Sequence, residues 1–517
     1  MSAADRVPLR DWIAVLGGVL GAFMAVLDIQ ITNASLSDIE GGLSASADQG
    51  SWISTAYLVA EIVVIPLTGW LSRVFSLRLY LVANTILFLI FSMLCGTASS
   101  LGEMILFRVG QGFTGGVLIP TALTIILSKL PAGRQPIGLA MFGMTATFAP
   151  AIGPTIGGWL TDTWSWHWIF FINAIPALTV IGAIWYGVAA EKMQLHLLKK
   201  GDWLGIFFMA VGLGSLIAVL EEGEEKAWFT TEWIRYAAVA AAIAIPTFIA
   251  IELVRREPFL NLRLLARRGF GPASLLGLVM GLGLYGSVYL LPVYLGQVQG
   301  YDALQIGEVV MWAGAPQLLI IPFVPMIMKR VDARLLVAFG FVLFGVSCVM
   351  NGYISPDTAG PELELPQLVR ALGQPFIIVP LSSLATGGLA RADQAQGSAL
   401  FNMFRNLGGS LGIAMLSTFT TMREHYHFDI ISQRLTLTSP DVHAWLDQAA
   451  SLLIARGAPA GLAAQQALGE LAAMVRSQAY TMTYADCFFG MGVVLIGSVV
   501  LLALMPRPKA GGAVAGH

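Results

Sequence analysis

The chain has 517 residues, of which 56% are hydrophobic and only 12% charged, and its mean hydropathy is +0.74. Soluble domains carry about 25% charged residues, so most of this chain must sit in lipid. A net charge of −2 excludes the basic surface of a nucleic-acid binder, and three cysteines far apart in apolar runs give neither a disulfide framework nor a metal-ligand spacing.

A membrane-spanning helix needs ~20 mostly apolar residues. Fourteen such runs follow one another, at 12–35, 51–71, 79–99, 103–127, 136–160, 168–189, 203–221, 234–254, 271–295, 304–327, 334–353, 366–389, 397–420 and 484–506. The first is longer than a signal-peptide core and has no small-residue cleavage site, so it is read as retained. The expected fold is an all-α polytopic membrane protein with fourteen transmembrane helices, and an even number puts both termini on one side. Twenty of the 29 Lys and Arg residues fall in the loops of that side, among them Arg6, Arg256, Arg391, Arg507 and Lys509. The opposite loops at 36–50, 221–233 and 354–365 are acidic. The positive-inside rule then makes the shared side cytoplasmic. The stretch 421–483 is the exception, with Arg423, Arg434, Arg456 and Arg476, but the rule weakens for loops of that length. It reads as helical stretches broken at Gly457-Ala458-Pro459.

Leu106 to Trp159 carries more than an anchor needs: a lone Arg108, Gln111, paired prolines and dense glycine. A second copy lies at 369–412. Arg108 and Gln111 correspond to Arg370 and Gln374 with one insertion, and Pro120 to Pro380. The next span aligns at a constant offset of 259, from Gln135 on Gln394 to Gly153 on Gly412. Both copies enter from the same side, so the repeat is parallel, an arrangement that places a transporter's site at the repeat interface near the midplane. The chain then divides into a six-span bundle at 1–190, two inserted spans with a linker at 191–265, and a second six-span bundle at 266–517. The halves are not equivalent, because the second has Ile413 in place of Pro154 and Arg405 in place of Ala146.

A charge in the bilayer core costs roughly 2.5–3.5 kcal/mol on insertion scales, which makes each one a functional candidate. The candidates are Asp28, Glu61, Arg108, Glu308, Arg370, Arg405 and, near a span end, Asp486. Asp28 and Arg108 lie at depths that agree within a helical turn. Arginine is a fixed charge, whereas a carboxylate beside it can alternate between paired and protonated states, which suits proton coupling. Glu61 has no partner at its depth and is a second candidate proton carrier or a contact for a cationic substrate. Gln111, Glu308, Gln374, Arg370, Arg405 and Asn402 are candidates for substrate binding or gating. A purely structural tie between helices is the alternative reading of a buried arginine, and it is weaker for Arg108 than for Arg370 and Arg405. Ala149, Gly153 and Gly157, and again Gly408 and Gly412, form small-residue faces for close helix contact. Pro154 after Gly153 removes a helix hydrogen bond and permits a bend. His425 and His427 lack further ligands, so no metal site is expected. No nucleotide-binding loop, nucleophile motif or cofactor fingerprint appears, so neither an enzyme nor a cofactor is expected.

These motifs resemble the major facilitator superfamily, and within it the fourteen-span drug/proton antiporters of the EmrB type. VLDIQITNASLSDIE (26–40) is similar to that group's first-span motif around Asp28, RVGQGFTGG (108–116) to its arginine motif, and APAIGPTIGGW (149–159) to its antiporter motif. WHWIFFINAIPA (166–177), LPVYLGQVQGYDALQIG (291–307) and ALFNMFRNLGGSLGIA (399–414) also look like this group. GWLSRVFSLR (69–78) departs from it, lacking the usual acidic residue near Arg73 and the usual glycine near Ser76. The resemblance implies proton-driven efflux of hydrophobic or amphipathic drugs across a bacterial inner membrane. It implies proton coupling at Asp28 and Arg108, and bending at Gly153, Pro154, Gly157 and Gly158. It also implies a periplasmic adaptor (a membrane fusion protein) and an outer-membrane channel as partners, for which 421–483 is a candidate contact or else a lid. A dedicated exporter of one metabolite, fatty acid or siderophore on the same fold is the alternative.

Overall fold

The computed structural model describes residues 7–131, 133–255, 258–301, 303–390, 393–435 and 439–505. Arg6, Arg256, Arg391, Arg507 and Lys509 lie outside them. All regular elements among the described residues are helical, as a lipid solvent requires of any open-ended segment. Spans 1 to 4 are Leu9–Ala34, Trp52–Val74, Leu77–Cys95 and Leu101–Lys129. Spans 5 to 8 are Gln135–Thr163, Trp168–Gly187, Trp203–Glu222 and Glu232–Val254. Spans 9 to 12 are Phe270–Gln297, Gln305–Met328, Ala333–Asn351 and Gly360–Thr386. Span 13 is Gln394–Arg434 and span 14 begins at Ala460 and runs to Ser498. Twelve of these meet the length and composition of a membrane crossing, and span 5 is a thirteenth if its bent halves count as one. Span 13 is more polar than that test allows, yet it packs along spans 2, 4, 9 and 14.

Several spans are broken where the chain chemistry demands it. Pro120 has no N–H for the Gly116 carbonyl, and span 4 breaks at Gly116–Val117. Pro154 cannot donate to Pro150, and span 5 bends by 46° between Pro150 and Ile152. Span 6 is interrupted between Phe171 and Ala174, so Asn173 sits at a helix start with its side chain free to turn inward.

The packing repeats the sequence duplication. Span 1 packs on spans 4, 5 and 6, span 2 on span 4, and span 3 on spans 4 and 6. Span 9 likewise packs on spans 12, 13 and 14, span 10 on span 12, and span 11 on spans 12 and 14. Contacts between the halves follow the same symmetry: span 5 meets spans 10 and 12, and span 13 meets spans 2 and 4. At the ends nearer the termini the seam is tight. Ser398 Oγ donates to the Pro120 carbonyl at 3.1 Å, and Gly69 faces the backbone of Ala395 and Gln396. Span 7, from the inserted pair, lies against spans 2 and 13 beside this seam.

Two expectations change. The stretch 421–483 is largely the continuation of two membrane helices. Span 13 runs on to Arg434, a short helix occupies Pro440–Ala455, and the last helix starts at Ala460. The acidic run after span 7 is not all loop, since Glu221 and Glu222 end the helix and turn inward.

Candidate functional site

Span 4 approaches span 2 at glycine. A side chain at Gly112 would collide with the Tyr57 carbonyl, so the two backbones touch there. One turn away, Arg108 Nε reaches the Ile53 carbonyl at 3.1 Å, and its guanidinium carbon sits 4.3 Å from the centre of the Tyr57 ring. This fixes the guanidinium against span 1. Nη1 donates to Asp28 Oδ2 at 2.8 Å and to Gln111 Oε1 at 2.7 Å. Gln111 Nε2 donates to Asp28 Oδ1 at 2.9 Å, and Asn173 Nδ2 donates to the same oxygen at 2.6 Å. Asn173 is held in turn by Ser92 Oγ at 3.0 Å, which donates to the Phe170 carbonyl. All these side chains are buried. Asp28 thus accepts three bonds from spans 4 and 6. Oδ1 accepts two of these bonds, while Oδ2 accepts only the one from Arg108 and keeps a further lone pair.

Span 5 packs against span 1 immediately beside Asp28. Side chains at Gly153 or Gly157 would meet Gln30 or the Ile31 carbonyl, while Pro154 turns to a cavity and Gly158 is half-buried. The cavity measures about 370 Å³ and lies between the halves on the side away from the termini. Its walls come from spans 1, 2, 5, 7, 9, 10 and 13. Glu61 enters it one helical turn after Tyr57 and is 3% exposed. Asn406 Nδ2 donates to Glu61 Oε1 at 3.0 Å, and Arg405 Nη2 donates to Asn406 Oδ1 at 3.3 Å. A parallel six-plus-six helical repeat, a buried Asp–Arg pair and a central amphipathic cavity describe a transporter. The Major Facilitator Superfamily model matches residues 18–413.

The chain belongs to the major facilitator superfamily. It is similar to the colistin resistance protein EmrB of Acinetobacter baumannii, 33% identical over 511 residues that cover 98% of this chain and 99% of that one. It is also similar to the multidrug export protein EmrB of Escherichia coli, 32% identical over 512 residues covering 96% of each. Among solved structures it shares its fold with the human organic anion transporter MFSD10, at 14% identity and a TM-score of 0.58, covering 95% of this chain and 99% of that one. The chain is therefore a transporter of the EmrB type and a multi-pass inner-membrane protein, not an enzyme.

Within this superfamily scaffold the remaining candidates scatter. Gln111 binds Asp28 and does not line the cavity. Gln374 accepts from Gln317 Nε2 at 2.6 Å inside the second bundle. Asn402 donates back to the Ser398 carbonyl of its own helix. Arg370 is buried beside the Phe344 ring, 5.6 Å from its centre. Glu308 lies on an exposed helix face. Only Arg405 reaches the cavity, and it does so through Asn406. His427 is turned to Asp486 at 2.8 Å, and Arg423 Nε donates to the same carboxylate at 2.8 Å. Sequence reading missed Asn173 and Ser92 in the Asp28 network, and Asn406, Glu221, Tyr285 and Tyr289 at the cavity. Asn173 is a lone amide within WHWIFFINAIPA, which is the one signal that could have marked it.

Proposed function

We propose that the protein exports hydrophobic and amphipathic drugs from the cytoplasm in exchange for protons, with Asp28 as the proton carrier and Arg108 as its fixed counter-charge. The observation that carries this reading is the closed Asp28–Arg108–Gln111–Asn173 network, one helix contact away from the glycine-proline motif of span 5 and the cavity. Paired to Arg108, Asp28 ties span 1 to span 4. Protonated, it releases that tie and lets spans 1 and 5 move together. Both termini are cytoplasmic in this reading, supported by the basic loops on their side, and the cavity then faces outward. The helical hairpin formed by spans 13 and 14 and the helix Pro440–Ala455 supports a periplasmic adaptor and an outer-membrane channel as partners. The test is drug efflux from proteoliposomes under an imposed pH gradient. Efflux should stop when the gradient is collapsed, and efflux indifferent to the gradient overturns the reading.

A further inference from the structure

We infer that the cavity is a site for the cationic group of an amphipathic substrate, and that its specificity rests on Glu221, a carboxylate supplied by the inserted span 7. This inference rests on the export reading and names the substrate class of that site.

The cavity walls are mostly apolar, but the charge they present is of one sign. Glu61 and Glu221 are its only charged lining residues among the described residues. Arg405 stands behind Asn406 and does not line the cavity; it is hydrogen-bonded to Glu61 through that amide, and its charge also acts on Glu61, which leaves Glu221 as the carboxylate without a cation beside it. Glu221 has a hydrogen bond from Ser410, yet its Oε1 is enclosed and has no hydrogen-bond partner. An enclosed carboxylate oxygen without a donor is costly, and either a proton or a cation relieves it.

The orientation of Glu221 is built in. The next residue, Glu222, accepts from Thr55 Oγ1 at 2.6 Å and Ser51 Oγ at 3.0 Å. Consecutive side chains on a helix point about 100° apart. Anchoring Glu222 to span 2 therefore aims Glu221 into the cavity, so that the inserted span helps form the site. Tyr285 and Tyr289 of span 9 line the same space and add aromatic side chains suited to a cation, while Val288, Val293 and Ile413 provide surface for an apolar body. At about 370 Å³ the cavity is of the size that holds a drug-sized molecule.

The experiment compares two probes of equal shape and opposite charge, tetraphenylphosphonium and tetraphenylborate, on the purified full-length protein. Wild type should bind tetraphenylphosphonium saturably and tetraphenylborate far more weakly. Glu221→Gln, nearly isosteric, should weaken the cation by tenfold or more, roughly the loss expected for one buried charge partner, and Glu221→Asp should recover part of it. Tetraphenylborate binding as tight as tetraphenylphosphonium overturns the inference, as does an unchanged cation affinity in Glu221→Gln. If that variant fails to fold, Glu221→Asp takes its place: a cation affinity unchanged from wild type in Glu221→Asp overturns the role of Glu221, and a several-fold loss supports it. Gradient-driven transport of neutral and anionic dyes by wild type, measured alongside, separates the two readings. Dye transport without tetraphenylphosphonium binding overturns the cation site and leaves export standing, whereas cation binding without any transport overturns export alone.

Discussion

Asn406 of the second bundle donates its side-chain amide to Glu61 of the first, 345 residues earlier, at 3.0 Å. This bond crosses the seam on which the two halves move in the proposed export cycle. Arg405 bonds to the same Asn406, so the cation of one half and the carboxylate of the other are linked through a single neutral residue. A direct Arg–Glu pair here would leave two uncompensated charges whenever the seam separated them, and an unpaired buried charge costs about 3–5 kcal/mol. A neutral bridge keeps Glu61 oriented while leaving the seam free to open.

Replacing Asn406 with Leu removes that bridge and leaves Glu61 with a buried, unpaired carboxylate oxygen. The cost should be about 1–3 kcal/mol in thermal unfolding of the detergent-purified protein. Gradient-driven efflux should fall several-fold, because Glu61 loses its orientation. Asn406→Arg should reduce efflux further, since it adds the ion pair that the native seam avoids. A fast, thermally stable Asn406→Arg pump would show that the neutrality of this bridge is irrelevant.

Asp28→Asn should abolish proton-coupled efflux and destabilise the protein by about 3 kcal/mol or more, because Arg108 is left without its counter-charge. Arg108→Lys should also be damaging, since the fork that spans Ile53, Asp28 and Gln111 is lost though the charge is kept. The double variant Asp28→Asn with Arg108→Gln separates structure from coupling. Removing both charges should restore most of the melting temperature, yet efflux should remain absent. Recovered, gradient-dependent efflux in the double variant would refute Asp28 as the carrier.

The pairing of Asp28 with Arg108 was legible because both are single charges whose depth can be counted from span ends. The duplication was legible for the same kind of reason, since glycine, proline and amide residues recur in order. Asn173 and Ser92 were not, because each is one uncharged polar residue in an apolar run with nothing to mark its direction. Glu221 read as the boundary between span 7 and an acidic loop because hydropathy ends at Leu220. The helix continues there because Glu222 finds hydroxyl donors on span 2 and Ser410 reaches Glu221. Glu308 and Gln374 show the converse failure: a polar residue within a span need not face the cavity. Hydropathy also marks the lipid-facing length and not the helix length, so the extension of span 13 to Arg434 was invisible.

Ser76 lies near the usual glycine of the motif that 69–78 resembles, and its backbone is of the kind that suits glycine. Its φ is +65° with ψ 137°, it is 1% exposed, and its hydroxyl has no hydrogen-bond partner. A backbone of this kind costs a side-chain-bearing residue on the order of 1–3 kcal/mol. Ser76→Gly should therefore raise the melting temperature by the equivalent of about 1 kcal/mol, the usual glycine entropy cost offsetting part of the gain. Ser76→Ala, which removes only the hydroxyl, should gain less. A melting temperature lowered by Ser76→Gly would mean that this turn is not strained.

Span 13 has 41 residues, which at the helical rise is about 60 Å, twice the ~30 Å hydrocarbon core. Span 14 is nearly as long, and the helix Pro440–Ala455 packs against it. Arg423 and His427 both bind Asp486 where the two long helices leave the bundle, so the projection starts from a clamped base. Its outer part exposes Leu462, Leu468 and Met474. As a partner-binding hairpin, this extension can be removed without touching the cavity, the Asp28 network or the seam. Deleting 430–478 should therefore abolish co-purification with the proposed adaptor while proteoliposome efflux stays within about twofold of wild type, within the range of a surface change far from the site. A lid gives the opposite pattern, with adaptor binding kept and efflux altered, so the two measurements together decide which role the hairpin has.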